Sequence, residues 1–315
     1  MKNTEFANFF LHNPAKSSTN YVQWANWLRT AQKVDYGCVL DKHLIPLHPG
    51  DLMAVVARPG HGKSSFMAYM ARRTALKIAD ESNKCVIYVS WEQSVEEIEA
   101  FFQSGDAYSS TELAWGRADI ETVKAQAIKR VNLPIWLIGH SIKDSDKKKP
   151  PMTIEAVYES IRAMRHDYGY EPVLICLDYL QIVPIAGKME RTQQVTEATI
   201  QAKHLGVEIG VPIIAGVQAS RAADNRGSQN PTMGDAQWSS AIEQTSDKQL
   251  SLFRPCKVLP KGEVIEIGGY DFEVDEYLMS IKILKQRFDV GSGVFAVRFE
   301  PQTLKMVDYR VTRLD

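Results

Sequence analysis

The sequence predicts an α/β fold built on a mostly parallel central sheet flanked by helices, and three observations carry that expectation. Apolar runs rich in β-branched residues, "LMAVV", "CVIYVSWEQ", "PVLICLDYLQIVP" and "VPIIAGVQAS", have the composition of strands buried on both faces. Helical stretches separate them, among them "SVEEIEAFFQ", "MTIEAVYESIRAMRHDYG" and "RTQQVTEATIQAKHLGVEIG". Strands alternating with helices need crossover connections and therefore pair in parallel. The third observation is "ARPGHGKS", a glycine-rich turn between the strand "LMAVV" and a helix.

Taken in order, residues 1–19 are polar, contain "NPAKSSTN" and show no sustained period, so they read as an arm. In "NYVQWANWLRTAQK", Tyr21, Trp24, Trp27, Leu28 and Ala31 recur at helical spacing and form one apolar stripe, which either caps its own core or docks on a neighbour. The expected division is residues 1–33 as arm and helix and residues 34–315 as one large domain. "SIKDSDKKKPP" reads as a solvated charged loop. From about residue 278 to 311 the pattern turns to strands separated by "DVGSG" and "PQT", expected as hairpins at the sheet edge. Within "LMSIKILKQRFDVGSG", Met279, Ile281 and Ile283 alternate as a strand does, and Lys285 and Arg287 share one face at its end. Two fixed cations at a strand end call for an anion.

Composition bounds the function. With 37 basic and 38 acidic side chains the net charge is −1, which excludes a broad basic footprint; any nucleic-acid contact must be local, as in the channel of a ring. A hydrophobic content of 44% is that of a soluble globular protein. No apolar run reaches the length of a membrane span and the N-terminus lacks a secretory signal pattern, so the expected location is cytoplasmic, with no membrane partner. Cys38, Cys85, Cys176 and Cys256 lie far apart, without a CxxC pair, and read as reduced thiols.

The motif from Ala57 through Arg58, Pro59, Gly60, His61, Gly62, Lys63 and Ser64 to Ser65 is a phosphate loop with Ala in place of the usual first glycine. Gly60 and Gly62 let the backbone turn its N–H groups inward around phosphates at the positive end of the following helix. Lys63 is placed to reach the β- and γ-phosphates and Ser64 to offer its hydroxyl to Mg²⁺, so ATP and Mg²⁺ are the expected cofactors. His61 sits where backbone matters and reads as a loop residue rather than a catalytic one. Asp178 ends the strand in "VLICLDYLQ", where a carboxylate holds Mg²⁺ through water; Glu92 ends "VIYVSWEQS", where it serves as general base or positions water. Gln218 ends "PIIAGVQAS", a neutral amide able to sense the γ-phosphate or its water.

At these residues the chain resembles a known family. "GDLMAVVARPGHGKSSFMAYMARR", "YVSWEQS", "LDYLQIV", "GVPIIAGVQASR", "MGDAQWSSAIEQTSD" and "LKQRFDVGSG" occur in the order found in the RecA-like motor domain of DnaB-type replicative helicases, over roughly residues 34–310. The resemblance implies a RecA-like P-loop NTPase with a C-terminal β-hairpin region, assembled as a homo-oligomeric, hexameric ring with active sites at subunit interfaces. It assigns Lys63 and Ser64 to nucleotide and metal, Asp178 to the metal shell, Glu92 to water activation and Gln218 to coupling hydrolysis with DNA contact. It makes Lys285 and Arg287 groups supplied in trans to the neighbour's γ-phosphate, and the tryptophan helix a linker that docks on the next subunit.

Single-stranded DNA is the implied load, with a loader or a replication or mobile-element protein as partner. The family's N-terminal collar recruits primase; only a short arm precedes the motor here, so primase loading by that route is not expected. In "MGDAQWSSAIEQ" the positions that usually carry an Arg-Glu pair and a Gly of the central DNA-binding loop are Gln237, Trp238 and Ser240, which removes a phosphate-binding cation. DNA-contact candidates are Gln237 and Trp238, with Lys188, Arg191, Arg221 and Arg226. The competing expectation is an ATP-dependent assembly or regulatory module, similar to KaiC- or RadA-type proteins, acting on a protein partner.

Overall fold

The computed structural model describes residues 11–103, 105, 107–144, 149–187, 189–220, 230–235, 240–288 and 292–309. The chain divides into two units, Met1–Lys33 and Val34–Asp315. The first holds helix α1, Pro14–Thr30. Asn13 caps it by accepting the Lys16 N–H at 2.9 Å, and Pro14 occupies the first turn, where a missing N–H costs nothing. The helix therefore begins inside the stretch expected to be an unstructured arm. Its start signal is the Asn-Pro pair, which carries no apolar period.

In the second unit β1 (Leu52–Ala57) leads into α2 (Lys63–Lys77), and β2 (Lys84–Ser90) into α3 (Val95–Gln103). Two further helices, α4 (Ser110–Ala114) and α5 (Ile120–Arg130), precede β3 (Ile135–Ile138). Then come α6 (Ile154–Tyr168), β4 (Glu171–Asp178), α7 (Arg191–Ile209), β5 (Ile213–Gln218), α8 (Ser240–Thr245) and β6 (Lys248–Phe253). A hairpin of β7 (Val264–Ile267) and β8 (Tyr270–Glu273) stands apart, and β9 (Leu278–Gln286), β10 (Gly293–Glu300) and β11 (Lys305–Asp308) complete the main sheet.

The sheet order is β11-β10-β9-β6-β1-β5-β4-β2-β3, parallel from β6 to β3 and antiparallel from β6 through β9 and β10 to β11. Side-chain alternation divides the core into two layers. Met53, Val55, Tyr88, Cys176 and Ile214 pack with Phe66, Met67 and Met70 of α2. Leu52, Ala54, Val56, Ile87, Leu177 and Ala215 pack under Val157 and Ile161 of α6 and Ala198 and Leu205 of α7. Burial on both faces is why these strands are unbroken apolar runs.

Strand β3 and the β7–β8 hairpin were not expected from the sequence, and two further features matter more for the site. No strand was expected at "KQLSLF", yet β6 is central and wholly buried. Some of its polar groups are partnered internally: Lys248 Nζ lies 2.6 Å from Asp51, and Gln249 Nε2 donates to the Ile242 carbonyl at 3.0 Å, while Gln249 Oε1 and Ser251 Oγ are buried without a hydrogen-bond partner among the described residues. The second feature is a bulge. Gln249 pairs with Lys285 but Leu250 pairs with Ile283, so Leu284 has no partner across β6. Strict alternation would have carried the Ile283 face on to Lys285 and Arg287. Instead Ile283 packs in the α2 layer, Leu284 in the opposite layer, and Lys285 reaches α8 on that opposite side.

Candidate nucleotide site

The turn between β1 and α2 has Gly60 at φ +75° and Gly62 at φ +90°, left-handed values that a side chain resists. A Cβ on Gly62 would also stand 3.0 Å from Met279 Cε and 3.5 Å from Arg254 Cδ. Gly62 is the N-cap of α2, and no side chain caps that helix. First-turn N–H groups with no side-chain cap at a positive helix end form an anion site.

Lys63 Nζ lies 3.1 Å from Asp178 Oδ1 and 3.6 Å above the Tyr179 ring. Asp178 is 1% exposed; the Tyr88 hydroxyl donates to its Oδ2 at 3.0 Å, and its Oδ1 accepts no hydrogen bond. Burial, reinforced by the Asp178 charge, pushes the Tyr88 phenol well above its usual range, so it stays protonated and donates. Gly216 of β5 makes room for this group: a Cβ there would lie 3.1 Å from Lys63 Cδ and 3.2 Å from Asp178 Oδ1.

Strand ends bring the remaining groups in. Glu92 is exposed on the turn after β2, which is braced by Ser90 Oγ donating to the Gln93 carbonyl at 2.8 Å and by the Trp91 N–H donating to the Asp178 carbonyl at 2.9 Å. Gln218 is held by its main chain. Its N–H donates to Gln181 Oε1 at 3.2 Å, and Gln181 Nε2 donates to its carbonyl at 3.1 Å. A cleft of about 350 Å³ is walled by the loop residues Ala57 to Ser65, His61 excepted, together with Glu92 and Gln218. Asp178 lies beneath Lys63 rather than on the wall. His61 is buried, stacks on Phe253 with ring centroids 5.3 Å apart, and accepts the Arg254 N–H on Nδ1 at 3.0 Å, anchoring the loop to the end of β6.

Sequence reasoning missed four residues here. Arg254 lines the cleft, Tyr88 and Gln181 hold Asp178 and Gln218, and Gly216 clears space for Lys63 and Asp178. Arg254 would have been reachable had β6 been recognised, since it directly follows that strand. Tyr88 and Gln181 are ordinary members of apolar segments in the sequence, and only strand pairing shows what they face.

The donor set fits a nucleotide and its ion: an uncapped helix terminus, a lysine, a helix-borne serine and a buried carboxylate whose Oδ1 is held, among the described residues, only by the ion pair with Lys63. Lys285 and Arg287 are not part of the cleft. Lys285 Nζ donates to the Glu243 carbonyl at 2.5 Å, and burial followed by the nearby Arg287 lowers its pKa. Arg287, half exposed, places Nε 3.2 Å from Asp247 Oδ1. Its N–H donates to the Asp247 carbonyl, and the Asp247 N–H to the Leu52 carbonyl, so it is level with the first residue of β1. The loop begins at the other end of β1, roughly 16 Å away at about 3.3 Å per residue. Of the DNA-contact candidates only Arg191 lies among the described residues, at the start of α7, with Nη1 donating to Gln194 Oε1 at 3.3 Å. Lys188, Arg221, Arg226, Gln237 and Trp238 lie outside them.

A phosphate loop at the carboxyl ends of parallel strands, with a buried acid beneath its lysine, defines the class: a P-loop nucleotide-binding α/β domain. Within that class the chain belongs to the DnaB-like helicase C-terminal domain family, whose model matches residues 37–308. It is 28% identical over 239 residues to a probable plasmid replicative DNA helicase of Chlamydia psittaci, covering 72% of this chain and 49% of that protein. It is 31% identical over 220 residues to the replicative DNA helicase DnaB of Leifsonia xyli subsp. xyli, covering 68% of this chain and 45% of that one. The chain thus spans about half the length of these relatives. Among solved structures, an ATPase domain superposes with a TM-score of 0.73 at 18% identity, over 95% of this chain and all of that one. A DnaB-like replicative helicase solved for its interactions with primase gives 0.71 at 18% identity, over 92% and 66%.

Proposed function

We propose that this chain is the motor of a ring-forming, Mg²⁺-dependent ATPase that translocates on single-stranded DNA and unwinds duplex. The observation that supports it most is the separation of Arg287 from its own cleft, at the opposite end of β1. A cationic pair so placed serves a nucleotide held by another copy of the chain, and the hexameric ring is the assembly in which every copy does so.

Lys63 exchanges Asp178 for the β- and γ-phosphates, and the N–H groups at the start of α2 cap the phosphates. Ser64 and Asp178 would hold Mg²⁺, which would neutralise charge on the phosphate oxygens. Glu92 orients the attacking water and takes its proton, while Gln218 reads the γ-phosphate from the end of β5. The neighbour's Arg287 stabilises charge as it develops in transfer.

Lys63→Ala is expected to abolish nucleotide binding. Arg287→Ala is expected to keep binding and lose turnover by about 10³-fold or more. Rings mixed from Arg287→Ala and Glu92→Gln subunits should recover activity at junctions that join an intact cleft to an intact finger. Single-stranded DNA should stimulate hydrolysis with an affinity that falls steeply as salt rises. Absence of both DNA stimulation and strand separation at low salt would sink the helicase reading, and retention of a protein partner in its place would favour an assembly module.

A further inference from the structure

We propose that Asp247 is a positioning residue for Arg287, fixing the guanidinium by its Nε so that both Nη groups remain for the neighbour's phosphate. The proposal rests on the trans reading of Arg287 given above. Asp247 is 4% exposed and stands just before β6, beside the first residue of β1. Its two oxygens divide their work. Oδ2 accepts from the Leu52 N–H at 2.9 Å and from Lys203 Nζ at 2.5 Å. Oδ1 faces Arg287 Nε at 3.2 Å.

The main chain of Arg287 is tied to the same residue, its N–H donating to the Asp247 carbonyl at 3.0 Å. Arginine is thus held at backbone and at Nε, while the carboxylate itself is pinned by Lys203, which also donates to the Gly50 carbonyl at 2.6 Å. The ion pair brings the carboxylate to the Nε side of the guanidinium, which leaves the planar Nη fork, the end suited to a phosphate. Without the bulge at Leu284, Arg287 would emerge on the other face of the sheet, away from the side on which Lys285 meets α8.

The competing account is that Asp247 merely anchors Leu52, and through β1 supports its own subunit's phosphate loop. Mixed rings separate the two, with mixing and ring size verified and melting temperature measured for each variant. Asp247→Asn keeps an acceptor for the Leu52 N–H but loses the charge. Turnover is expected to fall about 10- to 100-fold with little change in ATP KM. If Asp247 serves the finger, Asp247→Asn mixed with Glu92→Gln recovers activity, and Asp247→Asn mixed with Arg287→Ala does not. Recovery in the second mixture, where only an intact Arg287 on the Asn subunit could act, overturns the proposal.

The control mixture of Arg287→Ala with Glu92→Gln isolates the underlying reading. If it shows no recovery, the trans finger itself is wrong and the proposal falls with it. If Asp247→Asn does not fold, Arg287→Lys at the half-exposed position is the second variant. A lysine ammonium drawn onto Asp247 Oδ1 has no fork left for phosphate, so its turnover should be as low as that of Arg287→Ala; near wild-type turnover overturns the proposal.

Discussion

Tyr88→Phe removes one oxygen from the buried base of the site, and its effect follows from geometry. The Tyr88 hydroxyl donates to Asp178 Oδ2 at 3.0 Å, and both residues are 1% exposed, so water does not replace the lost donor. A hydrogen bond to a charged acceptor contributes about 1.5–3 kcal/mol, and Lys63 remains on the other oxygen, so a loss of about 2 kcal/mol is expected. For a unit of this size that lowers the melting temperature by about 3 °C. The functional consequence is larger. In the proposed cycle Lys63 leaves Asp178 when phosphates arrive, and the phenol is then the main protein contact still orienting that carboxylate. The Mg²⁺ concentration needed for half-maximal turnover should rise about tenfold, the usual penalty for losing a ligand's outer support. The phenol stays protonated, so the effect should be constant across neutral and mildly alkaline pH. Thermal unfolding by circular dichroism and a Mg²⁺ titration of hydrolysis test both parts. Melting within about 1 °C of wild type together with an unchanged Mg²⁺ requirement would refute the assignment of Tyr88 as the brace of Asp178.

Gly216→Val places a branched side chain where even a Cβ meets Met67 Sδ at 3.0 Å, Lys63 Cδ at 3.1 Å and Asp178 Oδ1 at 3.2 Å. It should cost about 1–3 kcal/mol and weaken nucleotide binding in a fluorescent-analogue titration, whereas wild-type affinity would show that the space is not needed. Gln181→Ala unpins both backbone groups of Gln218, and should lower DNA-stimulated hydrolysis while nucleotide binding persists; equal loss of both would place Gln181 in general stability instead. Asp35 supplies a pH test. Burial raises its pKa, but Lys77 and Arg73 outweigh that and hold it below the usual 3.8. A carboxylate depressed in the fold adds stability above its unfolded pKa and loses it as pH falls through the native value. Asp35→Asn should therefore melt lower at neutral pH, by about 1 kcal/mol or less for so exposed a group, and converge with wild type below pH 3.8. A difference that persisted in acid would count against the ion pair.

The phosphate loop was legible because its chemistry is local: "ARPGHGKS" places two left-handed glycines, a lysine and a serine within one turn, and the flanking strand and helix announce themselves by period. The placement of Asp178, Glu92 and Gln218 at one edge was legible for a related reason, since each ends an apolar run and parallel strands deliver their ends together. Tyr88, Gln181 and Gly216 were not, because their roles depend on which strands become neighbours. Tyr88 on β2 meets Asp178 on β4, and Gln181 after β4 meets Gln218 on β5. The strand β6 was hidden by its own polar residues, of which Lys248 and the Gln249 amide N–H are met by Asp51 and the Ile242 carbonyl, partners remote from the strand's own apolar pattern.

That hidden strand decides the meaning of the cationic pair. Alternation alone placed Lys285 and Arg287 together on one face but left open which end of the sheet they occupy. Because β9 runs antiparallel to β6, and β6 parallel to β1, the chain returns along the sheet and delivers Arg287 to the amino-terminal edge of the parallel strands. The phosphate loop lies at the carboxyl edge. A β9 running the other way would have ended at the carboxyl edge, on the side of its own phosphate loop, so the proposed trans role of Arg287 depends on this pairing. Antiparallel pairing instead keeps Arg287 out of its own cleft, which Arg254 alone of the described arginines outside the phosphate loop lines, and the bulge at Leu284 turns Arg287 to the face where it meets Asp247. Dependence on a second copy is thus argued from strand polarity and one unpaired residue, and Asp247→Asn tests whether the aim of that arginine is built in before the second copy arrives.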